Sequence, residues 1–324
     1  MIPLAERYRG RLPLTETTPI VTLGEGSTPL VAAARLGESS GCELWLKLES
    51  LNPTGSFKDR GMTVALSKAL EEGAEAVVCA STGNTAASAA AYAARAGLPC
   101  LILQPAGAVA LGKVAQARAL GARILAVRGS FDDALGAARQ LAARGTHVLV
   151  NSLNPYRLEG QKTAAFELLE ELGGPPGVLA LPYGGGGNTC AYARGFREAG
   201  EGVPRIVAGE AAQRAETLAT AIRIPEPFHR AEAEAAVAES GGAVVPLGDR
   251  EILAAWRELA RREGVFCEPA SAAGLAAVLR EPPAGERVVC VVTGHGLKDP
   301  EAVERHAEAP VEIDADPDAI AEAA

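Results

Sequence analysis

Short apolar runs alternate with amphipathic, Ala-rich segments along most of the chain. Runs rich in β-branched residues predict buried strands, and the longer segments between them predict helices. The predicted strands cover residues 76–80, 100–103, 123–128, 147–151, 177–183, 205–209, 243–247 and 287–293. The predicted helices cover residues 58–72, 85–95, 111–120, 131–144, 160–172, 189–198 and 231–239. This alternation is typical of parallel strands joined by helical crossovers, so we expect an α/β protein with two open, doubly wound, mostly parallel sheets.

The clearest boundary along the chain is the segment NSLNPYRLEG, residues 151–160. Its Asn and Pro residues predict a loop that separates the early strand–helix units from the later ones. The acidic tail from Asp314 is either an exposed helix or a disordered segment. A length of 324 residues gives an expectation of about two domains.

Composition and charge exclude several classes of protein. The 31 basic residues against 40 acidic ones give a net charge of −9, which argues against a nucleic-acid partner. The sequence has no apolar run long enough to span a membrane, and its first ten residues do not resemble a signal peptide. We therefore expect a cytoplasmic protein with no membrane partner.

The cysteines and histidines do not form a known metal or catalytic motif. The six cysteines are scattered without a CxxC pair, and the four histidines lie far apart without a spacing such as HExxH. GxSxG is absent as well. No metal site is predicted, and neither a zinc enzyme nor a serine hydrolase is favoured.

Lys58, in the segment SFKDRG, is a candidate amine nucleophile. It stands at the predicted start of a helix, where the helix dipole and burial would both lower its pKa. Such a lysine can form a Schiff base with an aldehyde or another carbonyl compound. The alternative is a surface lysine paired with Asp59.

Three further segments follow predicted strands and lie where doubly wound sheets bind ligands. The turn STGNT, residues 81–85, offers backbone N–H groups and hydroxyls to a carboxylate, or is only a capped turn. The loop GGGGN, residues 184–188, fits a phosphate at a helix start, or is only flexible. Thr293 ends a strand with its hydroxyl free, or is a turn residue. A lysine, an anion turn, a phosphate loop and a hydroxyl are what a pyridoxal phosphate site needs.

The motifs together resemble the threonine synthase family of pyridoxal-phosphate enzymes of fold type II. The resemblance rests on LESLNPTGSFKDRGM, STGNTAAS, NSLNPYRLEGQKT, ETLATAIRI and TGHGLKDP, which lie between about residues 24 and 300. The lysine segment alone also fits dehydratases and cysteine synthases, whereas the last three motifs are specific to the synthases. The resemblance implies a large cofactor-binding domain of residues 1–57 and 153–324, and a smaller, mobile domain of residues 58–152 that closes over the substrate.

The resemblance also implies a role for each site residue. Lys58 would bind the cofactor covalently and later move protons, Asn84 would contact its 3-hydroxyl group, and Thr293 would face its ring nitrogen. The cofactor phosphate would be held by Gly184, Gly185, Gly186, Gly187 and Asn188. The substrate would be bound by Ser81, Thr82 and Thr85, and its phosphate by Asn151, Ser152 and Arg157.

The reaction implied is the conversion of O-phospho-L-homoserine and water to L-threonine and phosphate, by a homodimer. Two alternatives stay open: a threonine/serine dehydratase, which has no need of Arg157 as a phosphate ligand, and a homologue that binds the cofactor without catalysis. Relatives often carry Asn where this chain has Gly185, and the segment 210–216 looks short. Glu268 and Ser271 match a family segment, and no chemistry is assigned to them.

Overall fold

The strands form two separate sheets. The computed structural model describes residues 2–107 and 111–323, and within them ten strands are present. The strands are β1 (Leu30–Ala32), β2 (Glu43–Lys47), β3 (Val77–Ala80), β4 (Cys100–Pro105), β5 (Arg123–Val127), β6 (Val148–Leu149), β7 (Val178–Pro182), β8 (Arg205–Ala211), β9 (Ala243–Leu247) and β10 (Arg287–Val291).

The larger sheet has the strand order β1-β2-β10-β7-β8-β9, and the smaller one has the order β5-β4-β3-β6. All neighbouring strands are parallel except β1, which pairs with β2 in the antiparallel direction. The expectation of two open, mostly parallel sheets is therefore confirmed.

The described residues also form thirteen α-helices, most of which connect successive strands. They are α1 (Leu4–Arg7), α2 (Ala34–Ser40), α3 (Lys58–Glu71), α4 (Asn84–Ala96), α5 (Leu111–Ala119), α6 (Phe131–Ala143), α7 (Pro155–Leu172), α8 (Gly187–Ala199), α9 (Arg230–Glu239), α10 (Asp249–Glu263), α11 (Ala273–Arg280), α12 (Pro300–His306) and α13 (Pro317–Ala323). Among them, none combines the length and the apolar character that crossing a membrane requires.

The central strands are buried on both faces, which explains their continuous apolar sequences. In β7, Val178 and Ala180 pack into one core and Leu179 and Leu181 into another, because successive side chains point to opposite faces of a strand. In β3, the residues alternate between two cores in the same way. Helices therefore cover both faces of each sheet, as in a doubly wound fold.

Two differences from the sequence predictions have local causes. Strands β1 and β2 were not predicted; β1 is only three residues long, and β2 contains exposed Glu43. Helix α7 begins at Pro155, inside the predicted loop, because the Asn154 side chain accepts a hydrogen bond from the Tyr156 N–H, at 3.0 Å, and a proline suits the first helical position. In the acidic tail, the structure contains the first of the two alternatives, an exposed helix, as α13, whose described side chains are mostly exposed.

The smaller sheet lies within residues 77–149, inside the range predicted for the mobile domain. The division at residues 57/58 and 152/153 stays a prediction. Residues 1, 108–110 and 324 of the predicted domains lie outside the described residues.

Candidate active site

A cavity of about 940 Å³ opens at the carboxyl ends of strands from both sheets. Its wall contains Lys58, the turn 81–85 after β3, the loop 184–188 after β7, and Thr293 beyond β10. Asn151 and Ser152, after β6, complete the wall. Every predicted site residue therefore lines this one cavity, except Arg157.

Lys58 is the first residue of α3 and faces the cavity. Burial lowers the pKa of its amine to about 7, and the charge of nearby Arg157 adds to the effect. The negative charge of Glu268 acts in the opposite direction and raises the pKa of Lys58. A substantial fraction of the amine is therefore neutral near pH 7, which is the form that attacks a carbonyl group and accepts a proton.

Asp59 is not the ion-pair partner of Lys58 that the alternative interpretation required. Its carboxylate accepts hydrogen bonds from the Thr54 N–H at 2.7 Å, the Thr54 hydroxyl at 2.6 Å and the Ser88 hydroxyl at 2.6 Å. Burial nevertheless raises the pKa of Asp59 to about 6. Asp59 thus fastens the start of α3 to the preceding loop and to α4, which fixes the position of the lysine.

A buried ion-pair network holds the same end of α3 from the other side. The Arg60 guanidinium donates to Glu49 and to Glu167, with Nε–Oε2 and Nη2–Oε2 distances of 2.7 and 2.6 Å, and both carboxylates are buried. Lys47 lies 3.2 Å from Glu167. Although burial opposes ionisation, the charge of Arg60 lowers the pKa of Glu167 to about 2. These charged side chains are paired with one another inside the protein, and none of them lines the cavity.

The glycine loop is shaped for a bound group at the start of α8. Gly186 has a φ of +85°, and a Cβ atom at this position would lie 2.9 Å from the His229 carbonyl oxygen. Asn188 Nδ2 and Thr189 Oγ1 are buried, and neither has a hydrogen-bond partner in the part of the chain that the structure describes. Backbone N–H groups at a helix start attract anions, so the loop fits a phosphate.

The turn after β3 contributes the first residues of α4. Asn84 Nδ2 donates to Glu268 Oε1 at 2.9 Å, and Ser81 Oγ accepts from the Gly83 N–H at 3.2 Å. Ser81, Thr82 and Thr85 are partly exposed to the cavity. Their hydroxyls lie around a helix start that can receive a carboxylate, and their role in substrate binding stays a prediction.

Thr293 lies two residues beyond the end of β10, inside the predicted strand. Its hydroxyl is 2.9 Å from Ser271 Oγ, which also accepts a hydrogen bond from the Gly294 N–H at 2.8 Å. Ser271, to which no role was assigned, therefore orients the hydroxyl that faces the cavity.

The predicted ligands of a substrate phosphate differ in their positions. Asn151 uses both atoms of its amide on the main chain of Ala80, with two hydrogen bonds of 2.8 Å, and so extends the β3–β6 pairing. Arg157 lies fully buried behind the wall, where Nη1 donates to the Val150 carbonyl at 2.8 Å. Its Nε and Nη2 atoms have no partner among the described residues. Burial lowers the pKa of this guanidinium to about 10.

Sequence reasoning assigned no role to several polar residues of the cavity wall, among them Lys298, Gln161 and Glu268. Lys298 donates to the Thr54 carbonyl at 2.9 Å and to Gln116 Oε1 at 2.6 Å, which connects the loop after β10 to α5. Gln161 has a buried Oε1 atom with no partner among the described residues. Lys298 lies in TGHGLKDP and Gln161 in NSLNPYRLEGQKT, and both motifs carry the family resemblance. Their place in these motifs was the sequence signal that could have identified the two residues. Glu268 lies in the wall too.

These residues fit pyridoxal phosphate. The cavity joins an amine with a lowered pKa, a glycine loop at a helix start with unpaired buried donors, and a strand-end hydroxyl. Lys58 would hold the aldehyde carbon, residues 184–188 the phosphate and Thr293 the ring nitrogen.

Comparisons with known proteins also indicate a pyridoxal-phosphate enzyme. The sequence model of a family described as pyridoxal-phosphate dependent enzyme matches residues 21–294. A threonine synthase from Synechocystis sp. is 53% identical over 319 residues, covering 92% of this chain and 84% of that protein. The threonine synthase of Halalkalibacterium halodurans is 49% identical over 317 residues, covering 92% of this chain and 90% of that protein.

Solved structures share the fold at much lower identity. A cysteine synthase from Entamoeba histolytica has a TM-score of 0.75 and 20% identity, covering 92% of this chain and 96% of that one. The serine racemase of maize has a TM-score of 0.73 and 23% identity, covering 87% of this chain and 94% of that one.

Proposed function

The chain belongs to the pyridoxal-phosphate-dependent enzymes and, within them, to the threonine synthase family, and from this membership we propose how its cavity carries out the reaction. Its function is the synthesis of threonine. The substrates are O-phospho-L-homoserine and water, and the products are L-threonine and inorganic phosphate. Phosphate leaves Cγ of the substrate, and water then adds at Cβ.

The bound cofactor supplies an electron sink that makes the hydrogens on the α- and β-carbons of the amino acid acidic. Lys58 moves these protons. Its pKa of about 7 makes the neutral amine available as a base and the ammonium available as an acid at the same pH. Asp59 keeps the amine in position through its bonds to Thr54 and Ser88.

The substrate carboxylate binds at the turn 81–85, through backbone N–H groups and the hydroxyls of Ser81, Thr82 and Thr85. Asn84, which bonds Glu268, lies at the start of α4 and would contact the 3-hydroxyl group of the cofactor. A neutral hydroxyl at Thr293 would leave the ring nitrogen of the bound cofactor without a proton and so would moderate the electron sink.

The observation that carries the choice of a phosphorylated substrate is the state of Arg157. A buried guanidinium whose Nε and Nη2 atoms have no partner among the described residues is costly unless an anion binds it. Its planar fork matches a phosphoryl group, and Ser152 adds a hydroxyl at the cavity wall. A dehydratase that acts on an unphosphorylated amino acid has no use for this group.

Arg157 must gain access to the cavity, and closure of the smaller domain provides it. The smaller domain of residues 58–152 closes over the bound substrate and brings its phosphate to Arg157, which belongs to the large domain. Closure also excludes stray water during the elimination. Protection from limited proteolysis on addition of a substrate analogue tests this movement, and equal cleavage with and without the analogue would contradict it.

The enzyme acts as a homodimer in the cytoplasm, with neither a nucleic-acid nor a membrane partner. Its six free, buried cysteines are usual in a reducing compartment, and the dimer follows the family resemblance. Light scattering of the purified holoenzyme tests the dimer, and a monomer mass would refute it.

The assay of the reaction measures three products together. Purified holoenzyme is incubated with O-phospho-L-homoserine, and threonine, inorganic phosphate and 2-oxobutyrate are quantified. We expect equal amounts of threonine and phosphate. Phosphate accompanied by 2-oxobutyrate would mean elimination without controlled hydration, and no turnover would favour a non-catalytic homologue. The Lys58→Ala variant should release none of the three products and is the control for contaminating activities.

A further inference from the structure

Three metal-ligand side chains meet outside the cavity, on the outer side of the glycine loop. Cys190 is in the first turn of α8, His229 precedes α9, and Glu232 is in the first turn of α9. One ligand atom from each, a thiol sulfur, a ring nitrogen and a carboxylate oxygen, lies within 4.8 Å of the other two. None of the three residues belongs to the cavity wall.

The ring of His229 is oriented as in a metal site. Its Nε2 atom lies 3.2 Å from the Ser152 carbonyl oxygen, and because a carbonyl only accepts, Nε2 carries the proton. In the neutral ring the lone pair is then on Nδ1, which lies 3.6 Å from Glu232 Oε2. Histidines that bind metals commonly donate their other ring N–H to a backbone carbonyl in this way.

The carboxylate of Glu232 has an outer partner as well. Its Oε1 atom lies 3.4 Å from Arg194 Nη2, whereas Oε2 is the oxygen that faces His229. Oε2 can therefore bind a cation while Oε1 stays paired with the Arg194 guanidinium. The Glu232 side chain is 51% exposed, which provides a path for an ion from solvent to the buried Cys190 sulfur.

We propose that Cys190, His229 and Glu232 bind a divalent transition-metal ion of the Zn²⁺ type, with water in the fourth position. A thiolate, an imidazole and one carboxylate suit Zn²⁺ and disfavour Mg²⁺ and Ca²⁺, which need oxygen ligands. On binding, the Cys190 S–H bond breaks, the sulfur keeps the electron pair as a metal ligand, and the proton goes to solvent. No residue changes its oxidation state.

The site is connected to the cavity through the main chain. The Cys190 N–H donates to the Gly186 carbonyl at 3.0 Å, and the His229 N–H donates to the Gly185 carbonyl at 3.1 Å. An ion that joins these two segments therefore stiffens the loop that we assign to the cofactor phosphate. The site itself rests on its own ligands and does not depend on the proposed reaction.

The test uses metal-free holoenzyme titrated with Zn²⁺. We expect one tightly bound ion per chain, an upward shift of the unfolding temperature, and a zinc-edge X-ray absorption spectrum with one sulfur at about 2.3 Å and nitrogen or oxygen ligands at about 2.0–2.2 Å. Since a cysteine thiol is ordinarily protonated at pH 7, binding at this pH should also release close to one proton per ion.

Variants of the three residues test whether the ion binds at this site or elsewhere in the protein. Cys190→Ser and His229→Gln should each weaken Zn²⁺ binding by about a hundredfold or more, because changes beyond the first ligands already cost about 10–100-fold. Glu232→Gln should also weaken Zn²⁺ binding. Because Glu232 is exposed, this variant should keep the fold even if Cys190→Ser does not fold. His306→Gln is the matched control and should bind as the parent does.

Two results would overturn the proposal. One is the absence of a stoichiometric ion in the parent protein. The other is a bound ion whose affinity is the same in the Glu232→Gln and His229→Gln variants, or whose spectrum contains no sulfur, because the ion would then be held elsewhere. Unchanged proton release in Cys190→Ser would contradict it for the same reason.

Discussion

The replacement of Arg157 by alanine tests the assignment of the substrate phosphate. In the structure its Nε and Nη2 atoms have no hydrogen-bond partner among the described residues, and two bonds to a phosphoryl group are therefore available. Hydrogen bonds to charged groups contribute about 1.5–3 kcal/mol each, so two of them amount to about 3–6 kcal/mol. At about 1.4 kcal/mol for each factor of ten, kcat/KM for O-phospho-L-homoserine should fall by about 10²–10⁴.

The assay is phosphate release at several substrate concentrations, which separates KM from kcat. KM should rise, whereas the absorbance of the bound cofactor should change little, because the glycine loop and Lys58 are untouched. Arg157→Lys keeps the charge but lacks the planar fork, so its kcat/KM should lie between the values of the parent and of the alanine variant. Arg197→Ala removes an exposed arginine of α8 that pairs with Glu239, and serves as the control.

A second ligand distinguishes phosphate binding from a general loss of structure. The affinity for L-homoserine, which lacks the phosphate, should differ by less than about threefold between the parent and Arg157→Ala; this bound corresponds to about 0.7 kcal/mol. An unchanged KM for the phosphorylated substrate would refute the reasoning, and so would an equal loss of affinity for both compounds.

Three further predictions concern Lys58, Gly186 and Glu167. The rate at which cofactor-free protein recaptures pyridoxal phosphate should rise with pH around a midpoint near 7, because the neutral Lys58 amine is the reactive form; a midpoint near 10.5, the ordinary value, would contradict the lowered pKa. Gly186→Ala should weaken cofactor retention during dialysis, whereas Gly200→Ala, with a similar φ of +78° and no close neighbour, should not. Glu167→Leu should cost about 3–5 kcal/mol in urea unfolding because it leaves Arg60 underpaired. In the parent, the stability due to Glu167 should be present above its ordinary pKa of 4.5 and lost as the pH falls toward about 2.

Much of the fold could be predicted from the sequence because its central strands are buried on both faces. Residues 76–80 and 177–183 are apolar runs bounded by turns, and they became β3 and β7 with shifts of one residue at their ends. The short edge strand β1 gave no such signal, since Leu30–Ala32 is only partly covered. The start of α7 was misplaced because the predicted loop 151–160 was inferred from composition, whereas the capping side chain of Asn154 decides the boundary.

The site was predictable where its residues follow strands in single motifs. The turn 81–85 and the loop 184–188 line the cavity because the parallel strands of each sheet bring their carboxyl ends to one edge, and the two edges face the same cavity. Lys58 lines it from the helix start that follows the loop after β2. The hydrogen bonds within the site were not predictable, since they join distant segments. Asn151 bonds the main chain of Ala80, and Asn84 bonds Glu268.

The metal-ligand cluster illustrates the same difficulty. His229 and Glu232 adjoin one helix, whereas Cys190 comes from another helix far earlier in the chain. No spacing rule connects them, and only the packing of α9 beside α8 brings the three side chains together.

The most direct test of the proposed reaction follows the oxygen atoms. The holoenzyme is allowed to convert O-phospho-L-homoserine in heavy-oxygen water, and threonine and phosphate are analysed by mass spectrometry. If phosphate leaves Cγ with its bridging oxygen and water adds at Cβ, the threonine hydroxyl carries the label and the released phosphate does not. Labelled phosphate with unlabelled homoserine would mean hydrolysis at phosphorus, and would contradict the account.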